Sequence, residues 1–562
     1  MAFAEILEQV GGTGRFQVLH VTLLCAPILM MASHNLLQNF VAAVPPHYCR
    51  APKNSSTSHL DPRVTLLLTV PLGSDGRPAR CQLYSTPQWH LLAGNGTSVQ
   101  PGGDVSSTQD PLSADLQGCE EGWVYNMTEM TSTIISEWDL VCDLRSLKPM
   151  GQTTYMGGVL VGAVVFGGLS DKFGRRFLLL FSHLLMAVGG TCTAFSPSFS
   201  LFCFFRFLCG MALSGLVLNS FSLIVEWIPT RVRTVVGTGT GYCYTVGQLI
   251  LAGTAYFIRD WRWLTLAVSL PFYISFLYSW WFLESARWLV LNGRMEEAVK
   301  NLRTVAQVNG RRAERNKINM ELLQGSMKKE MACSQTTHTA LDLLRTPAMR
   351  TITVCLCAVW FSTSFAYYGL SMDLQKFGVD IYLIQVIFGA VDIPAKVVIT
   401  VTMSMIGRRP SQCGSLILAG ITVLSNVLVP AEMQTLRTVL AVLGKGCLAA
   451  SFNCCYLYSG ELFPTRIVAE WHGLDLHAGA PGGHGGPLVL ILGETLSWLP
   501  GLIYGLVPIL AGGVAFFLPE TLGEPLPDTI QDTEERSQGQ KSCEKKDLAL
   551  KDANNSLLKE AV

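Results

Sequence analysis

Lys396 stands in the string Val391-Asp392-Ile393-Pro394-Ala395-Lys396-Val397, midway along an otherwise apolar stretch. An ammonium at membrane depth costs about 2.5–3.5 kcal/mol on insertion scales, so such a group marks function by default. Lys396 offers a point positive charge to a carboxylate or a sulfate. Asp392 lies one turn earlier, and a local i,i+4 ion pair is the other use of these two residues. Both uses are compatible if the pair holds in the empty state and the lysine is shared in the loaded one. Aromatic residues cluster in neighbouring apolar stretches: Trp360, Tyr367 and Tyr368 in one, Tyr242 and Tyr244 in a second, Phe452 and Tyr456 in a third. Tyr and Trp combine a flat apolar face with one polar handle. An aromatic lining with one cation suits a ligand with an apolar body and a charged head. Helix packing and an interfacial belt are the other uses of such rings.

A second group of charges is arranged to move rather than to bind. The string Gly167-Gly-Leu-Ser-Asp171-Lys-Phe-Gly174-Arg175-Arg176 joins two apolar stretches, and Gly407-Arg408-Arg409 joins two more, 233 positions after Gly174-Arg175-Arg176. Glu226-Trp-Ile-Pro229-Thr-Arg231 ends one apolar stretch, and Glu461-Leu-Phe-Pro464-Thr-Arg466 ends another, 235 positions later. Gly174 permits a tight turn. Asp171 is placed to cap a helix or pair with Arg175 and Arg176. Glu226 and Arg233 are placed to pair with these charges in one conformation and release them in another, biasing an inward–outward equilibrium. The repeat implies two related halves.

The elements that must position these residues are membrane helices. The chain has 562 residues, 49% of them apolar and 15% charged, against about 25% charged in a soluble domain. Its mean hydropathy is +0.35. Lys and Arg number 41, as do Asp and Glu, which excludes the basic face a nucleic-acid binder needs. Eleven stretches of about 20 apolar residues qualify as spans: 16–36, 149–168, 177–196, 201–224, 235–257, 263–283, 351–372, 380–404, 411–430, 437–459 and 501–518. In lipid only helices satisfy every backbone group at these lengths, so the expected fold is an all-α membrane protein. No cleavable signal peptide is visible, and the first stretch reads as a retained span.

Two polar loops set the sidedness. The first, 41–148, carries the sequons at Asn54, Asn95 and Asn126 and four cysteines, Cys49, Cys81, Cys119 and Cys142. Over 41–143 there are five Lys and Arg against eleven Asp and Glu. An even set of cysteines in a glycosylated acidic loop reads as two extracellular disulfides, with three pairings open. The second loop, 284–350, holds twelve Lys and Arg against seven Asp and Glu and is expected in the cytoplasm. Both termini then lie inside, and the tail after Pro525 reads as disordered. The expected organisation is a six-helix bundle over 1–283, the loop 284–350, a second bundle over 351–523 and a tail over 524–562.

There is no G-x-x-x-x-G-K-[ST] string for ATP. Gly237-Thr-Gly239-Thr-Gly241 lies in an apolar stretch and reads as close helix packing, and Gly444-Lys445-Gly446 is no phosphate cradle. No metal-ligand spacing or nucleophile motif stands out. The expectation is therefore no cofactor and no enzymatic activity, with transport driven by a gradient or by exchange.

The string GGLSDKFGRR resembles the signature of the major facilitator superfamily. Ser136-Glu137-Trp138-Asp139-Leu140-Val141-Cys142, Glu284-Ser-Ala-Arg287-Trp288 and Pro519-Glu520-Thr521-Leu522-Gly523 resemble motifs of the organic cation/anion/zwitterion transporter family. Met31-Ala-Ser-His34-Asn35 and Ser364-Phe-Ala-Tyr367-Tyr368-Gly369 resemble its organic anion branch. The resemblance covers nearly the whole chain. It implies two six-helix bundles, twelve spans, alternating access and a central aqueous cavity in a plasma-membrane protein. It also implies Lys396, Tyr244, Trp360, Tyr367, Tyr368, Phe452, Asn35 and His34 as substrate residues, although His34 fits a satisfied bundle histidine equally well. Gln248 is a further polar lining candidate. The implied partners are small organic anions and, in some members, a counter-transported dicarboxylate.

One segment departs from the resemblance. Between Glu461 and Pro487 the eleventh span should lie, yet Glu470, His472, Asp475 and His477 occupy it, and five glycines and two prolines fall within 478–487. Such a stretch opposes a continuous helix. Anion carriers place an arginine where this chain has Ala480, and cation carriers an aspartate. The segment 467–486 reads as an altered stretch in an intact sequence, or as a broken helix lining a cavity. Anion selectivity then rests on Lys396 alone. The competing readings are a cation or zwitterion carrier of the same fold and a transport-impaired membrane protein.

Overall fold

The computed structural model describes residues 3–51, 60–73, 76–89, 115–334, 346–372, 374–430, 432–463, 482–483, 485–486, 489–490, 492–493, 496, 498–523 and 533–534. Each of the eleven apolar stretches is helical. The first to fifth spans are Arg15–Leu36, Met150–Phe173, Arg175–Ala194, Phe199–Trp227 and Thr230–Phe257. The sixth is broken into Trp261–Ser269 and Pro271–Ser279, because Pro271 cannot donate into the helix before it and starts a new one. The seventh to tenth are Pro347–Ser371, Ile381–Met405, Arg408–Leu428 and Gln434–Leu462, and the twelfth is Leu499–Ala515. Among the described residues, eight helices are long and apolar enough to cross a membrane. The eleventh-span segment 467–486, apart from four glycines, lies outside the described residues, and so does Ala480.

Local sequence sets the helix ends. Ser198 accepts from Leu201 N, and Asp380 accepts from the backbone N–H groups of Tyr382 and Leu383 at 2.7 and 3.1 Å. Gly174 and Gly407, at φ of +94° and +112°, make the turns between the second and third and the eighth and ninth spans. Leu428, Met405 and Phe257 are 84%, 76% and 84% exposed on helices of high apolar content. Ser182, Asn219, Thr363 and Gln412 are buried. That inversion of the soluble pattern fits helices whose outer solvent is lipid.

Each half has its own core. Leu24, Tyr155, Leu179, Leu213, Leu223 and Phe272 belong to the N-terminal one, and Leu356, Trp360, Leu416, Tyr458 and Ala511 to the C-terminal one. The amphipathic helix Met295–Val308 buries Ala298, Leu302 and Val305 and joins the N-terminal core with Leu323, Met327 and the leading residues Ile6 and Leu7. Asn309 ties these pieces together: it accepts from Phe16 N at 2.9 Å and donates to the Val10 and Gly11 carbonyls at 3.1 and 3.0 Å.

Residues 40–148 with 258–261 form a separate small unit. It contains two antiparallel pairs, β1 (His47–Cys49) with β4 (Trp123–Tyr125) and β2 (Leu83–Tyr84) with β3 (Leu116–Gln117). The open pairing question is answered: Cys49 bonds Cys119 and Cys81 bonds Cys142. Two cross-links supply what so small a core, centred on Cys49, Val70 and Leu83, cannot. The SEWDLVC string acts here through Glu137, which accepts from Trp261 Nε1 at 2.7 Å. Asn126 is exposed, while Asn54 and Asn95 lie outside the described residues.

Candidate functional site

The eighth span carries both charges read from the sequence, but they are not each other's hydrogen-bond partners. Asp392 is buried and accepts from Lys445 Nζ on the tenth span at 3.0 and 3.2 Å. Lys445 Nζ also sits 4.0 Å from the centroid of the Tyr367 ring. Lys396 donates instead to the fifth span, to the Gly241 carbonyl at 2.5 Å and to Thr245 Oγ1 at 2.8 Å. Lys445 lies outside the site residues expected from the sequence, where Gly444-Lys445-Gly446 stands out only as a string that is no phosphate cradle. An ammonium in the middle of a 29-residue apolar helix was the available signal. Two buried lysines and one buried aspartate leave this cluster with a net positive charge.

Gln248 and six of the implied residues gather around it. Gln248 of the fifth span donates from Nε2 to Tyr367 OH at 3.2 Å and to Asp392 Oδ2 at 3.0 Å. The Tyr367 ring stands edge-on to Tyr368 at 5.4 Å and to Phe452 at 5.0 Å, and Phe452 meets Trp360 at 6.0 Å. On the facing half, Asn35 Nδ2 donates to Tyr244 OH at 3.4 Å and to Tyr368 OH at 3.5 Å. Asn35 thus brings the Tyr244 and Tyr368 hydroxyls to one point. His34 does not join them. It is buried in the N-terminal bundle, its Nε2 at 3.4 Å from Ser269 Oγ and its ring edge-on to Phe272.

The donor count of this cluster is unequal. Tyr244 and Tyr368 each accept from Asn35 and hold a hydroxyl proton of their own. Tyr367 accepts from Gln248, so its own proton remains to donate. Trp360 Nε1 is buried and has no hydrogen-bond partner among the described residues. The opposing acceptor is Gln248 Oε1, also unpartnered. Spare N–H and O–H groups near a cation suit an acceptor-only ligand, which is what a carboxylate or sulfate is.

The two halves meet along one face. Asn39 Nδ2 donates to the Ser371 carbonyl at 2.8 Å, and Tyr256 packs edge-on to Tyr382 at 5.6 Å. A side chain placed at Gly241 would meet Lys396 Nζ at 3.7 Å. One turn earlier on that helix face, a side chain at Gly237 would meet nothing within 4 Å.

At the other end of the helices the two arginine turns are built alike. Asp171 pairs with Arg175 at 2.9 Å, and Arg175 lies 3.8 Å from Glu226. Glu284 accepts from the backbone N–H groups of Arg175 and Arg176 at 3.2 and 3.1 Å. Burial raises the Glu284 pKa, and its backbone hydrogen bonds and Arg175 oppose that. In the second half Arg408 pairs with Glu461 at 2.9 Å, and Glu520 accepts from Arg408 N and Arg409 N at 2.9 and 3.0 Å. Glu284 and Glu520 thus occupy equivalent places, 236 positions apart, capping the helix that follows each arginine turn. Arg233 lies within electrostatic reach of Glu226 and Arg287.

The family model described as Sugar (and other) transporter matches residues 146–529. Solute carrier family 22 member 6 of Danio rerio is 68% identical over 566 residues, covering 100% of both chains. The protein of the same name from Pseudopleuronectes americanus is 66% identical over 563 residues, again covering 100% of both. Solute carrier family 22 member 20 of Mus musculus is 48% identical over 570 residues, with 100% of both covered. Among solved structures, a partially occluded inward open conformation of the xylose transporter XylE from E. coli aligns with a TM-score of 0.54 at 19% identity, covering 68% of this chain and 90% of that one. The chain is a membrane transporter of the major facilitator fold and not an enzyme, and it belongs to the Sugar (and other) transporter family as a member of solute carrier family 22, in the organic anion branch that its motifs resemble.

Proposed function

We propose that this carrier moves amphipathic organic anions, aromatic carboxylates and sulfate conjugates among them, across the plasma membrane by alternating access. The surplus of hydrogen-bond donors around Lys396, Trp360, Tyr244, Tyr367 and Tyr368 carries the reading. Asp392 does not reverse it, because Lys445 neutralises that carboxylate. A cation carrier would need a free carboxylate here. The rings of Phe452 and Tyr368 take the apolar body of the ligand. His34 acts behind this surface rather than on it.

In this reading the carrier is open toward the cytoplasm. The hydrogen bonds from Asn39, Asn35, Gln248 and Lys396 hold the halves together from the middle of the spans outward, while Gly237 faces open space. This orientation follows the basic loop 284–350 and puts both termini in the cytoplasm and the disulfide unit outside. In the other state Asp171, Arg175, Arg176 and Glu226, with Arg408 and Glu461, exchange partners at the cytoplasmic rim. With no ATP site in the sequence, uptake draws on exchange, and an intracellular dicarboxylate suits the net positive cluster.

The test compares uptake of a labelled steroid sulfate with uptake of a quaternary amine. Anion uptake should dominate and accelerate in cells preloaded with a dicarboxylate. Lys396→Ala should cut anion uptake about tenfold or more at equal surface abundance, the loss of one charge-assisted hydrogen bond. Undiminished uptake in that variant removes Lys396 from the site.

A further inference from the structure

Arg206 of the fourth span is fully enclosed in the N-terminal half, with no carboxylate partner among the described residues. Its charge is instead solvated by three neutral groups. Nη1 and Nη2 each donate to the His34 carbonyl at 3.4 Å, Nη2 donates to Gln152 Oε1 at 3.3 Å, and the guanidinium lies 4.2 Å from the centroid of the Tyr155 ring. Two of those groups turn toward the next residue of the first span. Gln152 Nε2 donates to the Asn35 carbonyl at 3.2 Å, and Tyr155 OH donates to Asn35 Oδ1 at 2.8 Å. His34 and Asn35 lie in the last turn of the first span, where intrahelical donors run out.

The consequence is a fixed amide. Asn35 Oδ1 is held by Tyr155, so Nδ2 faces Tyr244 and Tyr368. A flipped amide would present a lone pair where the ligand's own oxygens arrive. We infer that Tyr155 and Arg206 are positioning residues that set the donor face of the anion site, Tyr155 by holding the Asn35 oxygen and Arg206 by holding Gln152 and the Tyr155 ring. The inference rests on the reading that Asn35 lines the substrate site.

The experiment measures KM and Vmax for a labelled steroid sulfate in the full-length carrier, with Vmax normalised to surface abundance. Tyr155→Phe keeps the ring beneath Arg206 and removes only the hydroxyl. It should raise KM about fivefold, the worth of roughly one hydrogen bond, with Vmax per surface copy little changed. In an Asn35→Ala background the same substitution should add nothing, because coupled residues are not additive. Arg206→Lys keeps the charge but loses the two-pronged hold, so it should raise KM as well; it also carries the test if Tyr155→Phe fails to reach the surface. A KM unchanged in Tyr155→Phe or in Arg206→Lys, beside a raised KM in Asn35→Ala, overturns the positioning role and leaves the site intact. Additive effects overturn it too. An unchanged KM in Asn35→Ala removes Asn35 from the site, and the inference with it.

Discussion

Asp392 has two buried partners, Lys445 and Gln248, and only Lys445 carries charge. Lys445→Met therefore leaves a carboxylate desolvated at membrane depth, at about 3–5 kcal/mol. We expect that variant to lose its mature glycosylated form at the surface. Replacing both members, Lys445→Met with Asp392→Leu, should restore maturation, because exchanging a whole buried pair for apolar residues is often neutral. Anion uptake should then be largely retained, because the pair that is removed is neutral and Lys396 keeps the net positive charge of the cluster. Surface biotinylation with a glycan-shift assay separates these outcomes, and full maturation of the single variant would show that Asp392 is not an obligate ion pair.

The arginine turns are the elements with the sharpest requirements. Gly174 and Gly407 adopt positive φ, and a Cβ at either would press on the Glu284 or Glu520 carboxylate that caps the next helix. Gly174→Ala and Gly407→Ala should each destabilise by roughly 1–3 kcal/mol, which a lower unfolding temperature in detergent would register. Glu284→Gln and Glu520→Gln keep the shape and lose the charge at a helix N-terminus, at about 1 kcal/mol each. If the glycine variants were silent while the glutamine variants were costly, charge and not backbone conformation would govern these turns. In the disulfide unit, Cys49→Ser with Cys119→Ser should cost about 2–5 kcal/mol and arrest maturation.

Over the whole molecule the halves touch along the first, fifth, seventh and eighth spans, and Gly237 faces open space. A cysteine at Gly237 should react with a membrane-impermeant maleimide in inside-out vesicles and be spared in intact cells. A saturating substrate that draws the halves together should slow that labelling. Equal labelling from both sides would refute the cytoplasmic opening.

The apolar stretches, the two-fold repeat of arginine turns and the disulfide-bonded loop were legible in the chain itself, because lipid imposes length and composition on every span. Helix ends followed too, within a few residues, since Ser198, Asp380, Gly174 and Pro271 act locally. Partnerships across the bundle were not legible. Asp392 and Lys396 are one turn apart, yet Lys445 pairs with the aspartate and Gly241 and Thr245 hold the lysine. Which cysteine meets which, and which way the Asn35 amide faces, were likewise settled only by folding. Spacing along a helix fixes which groups share a face. Only the packing of one helix on another fixes which partner arrives there.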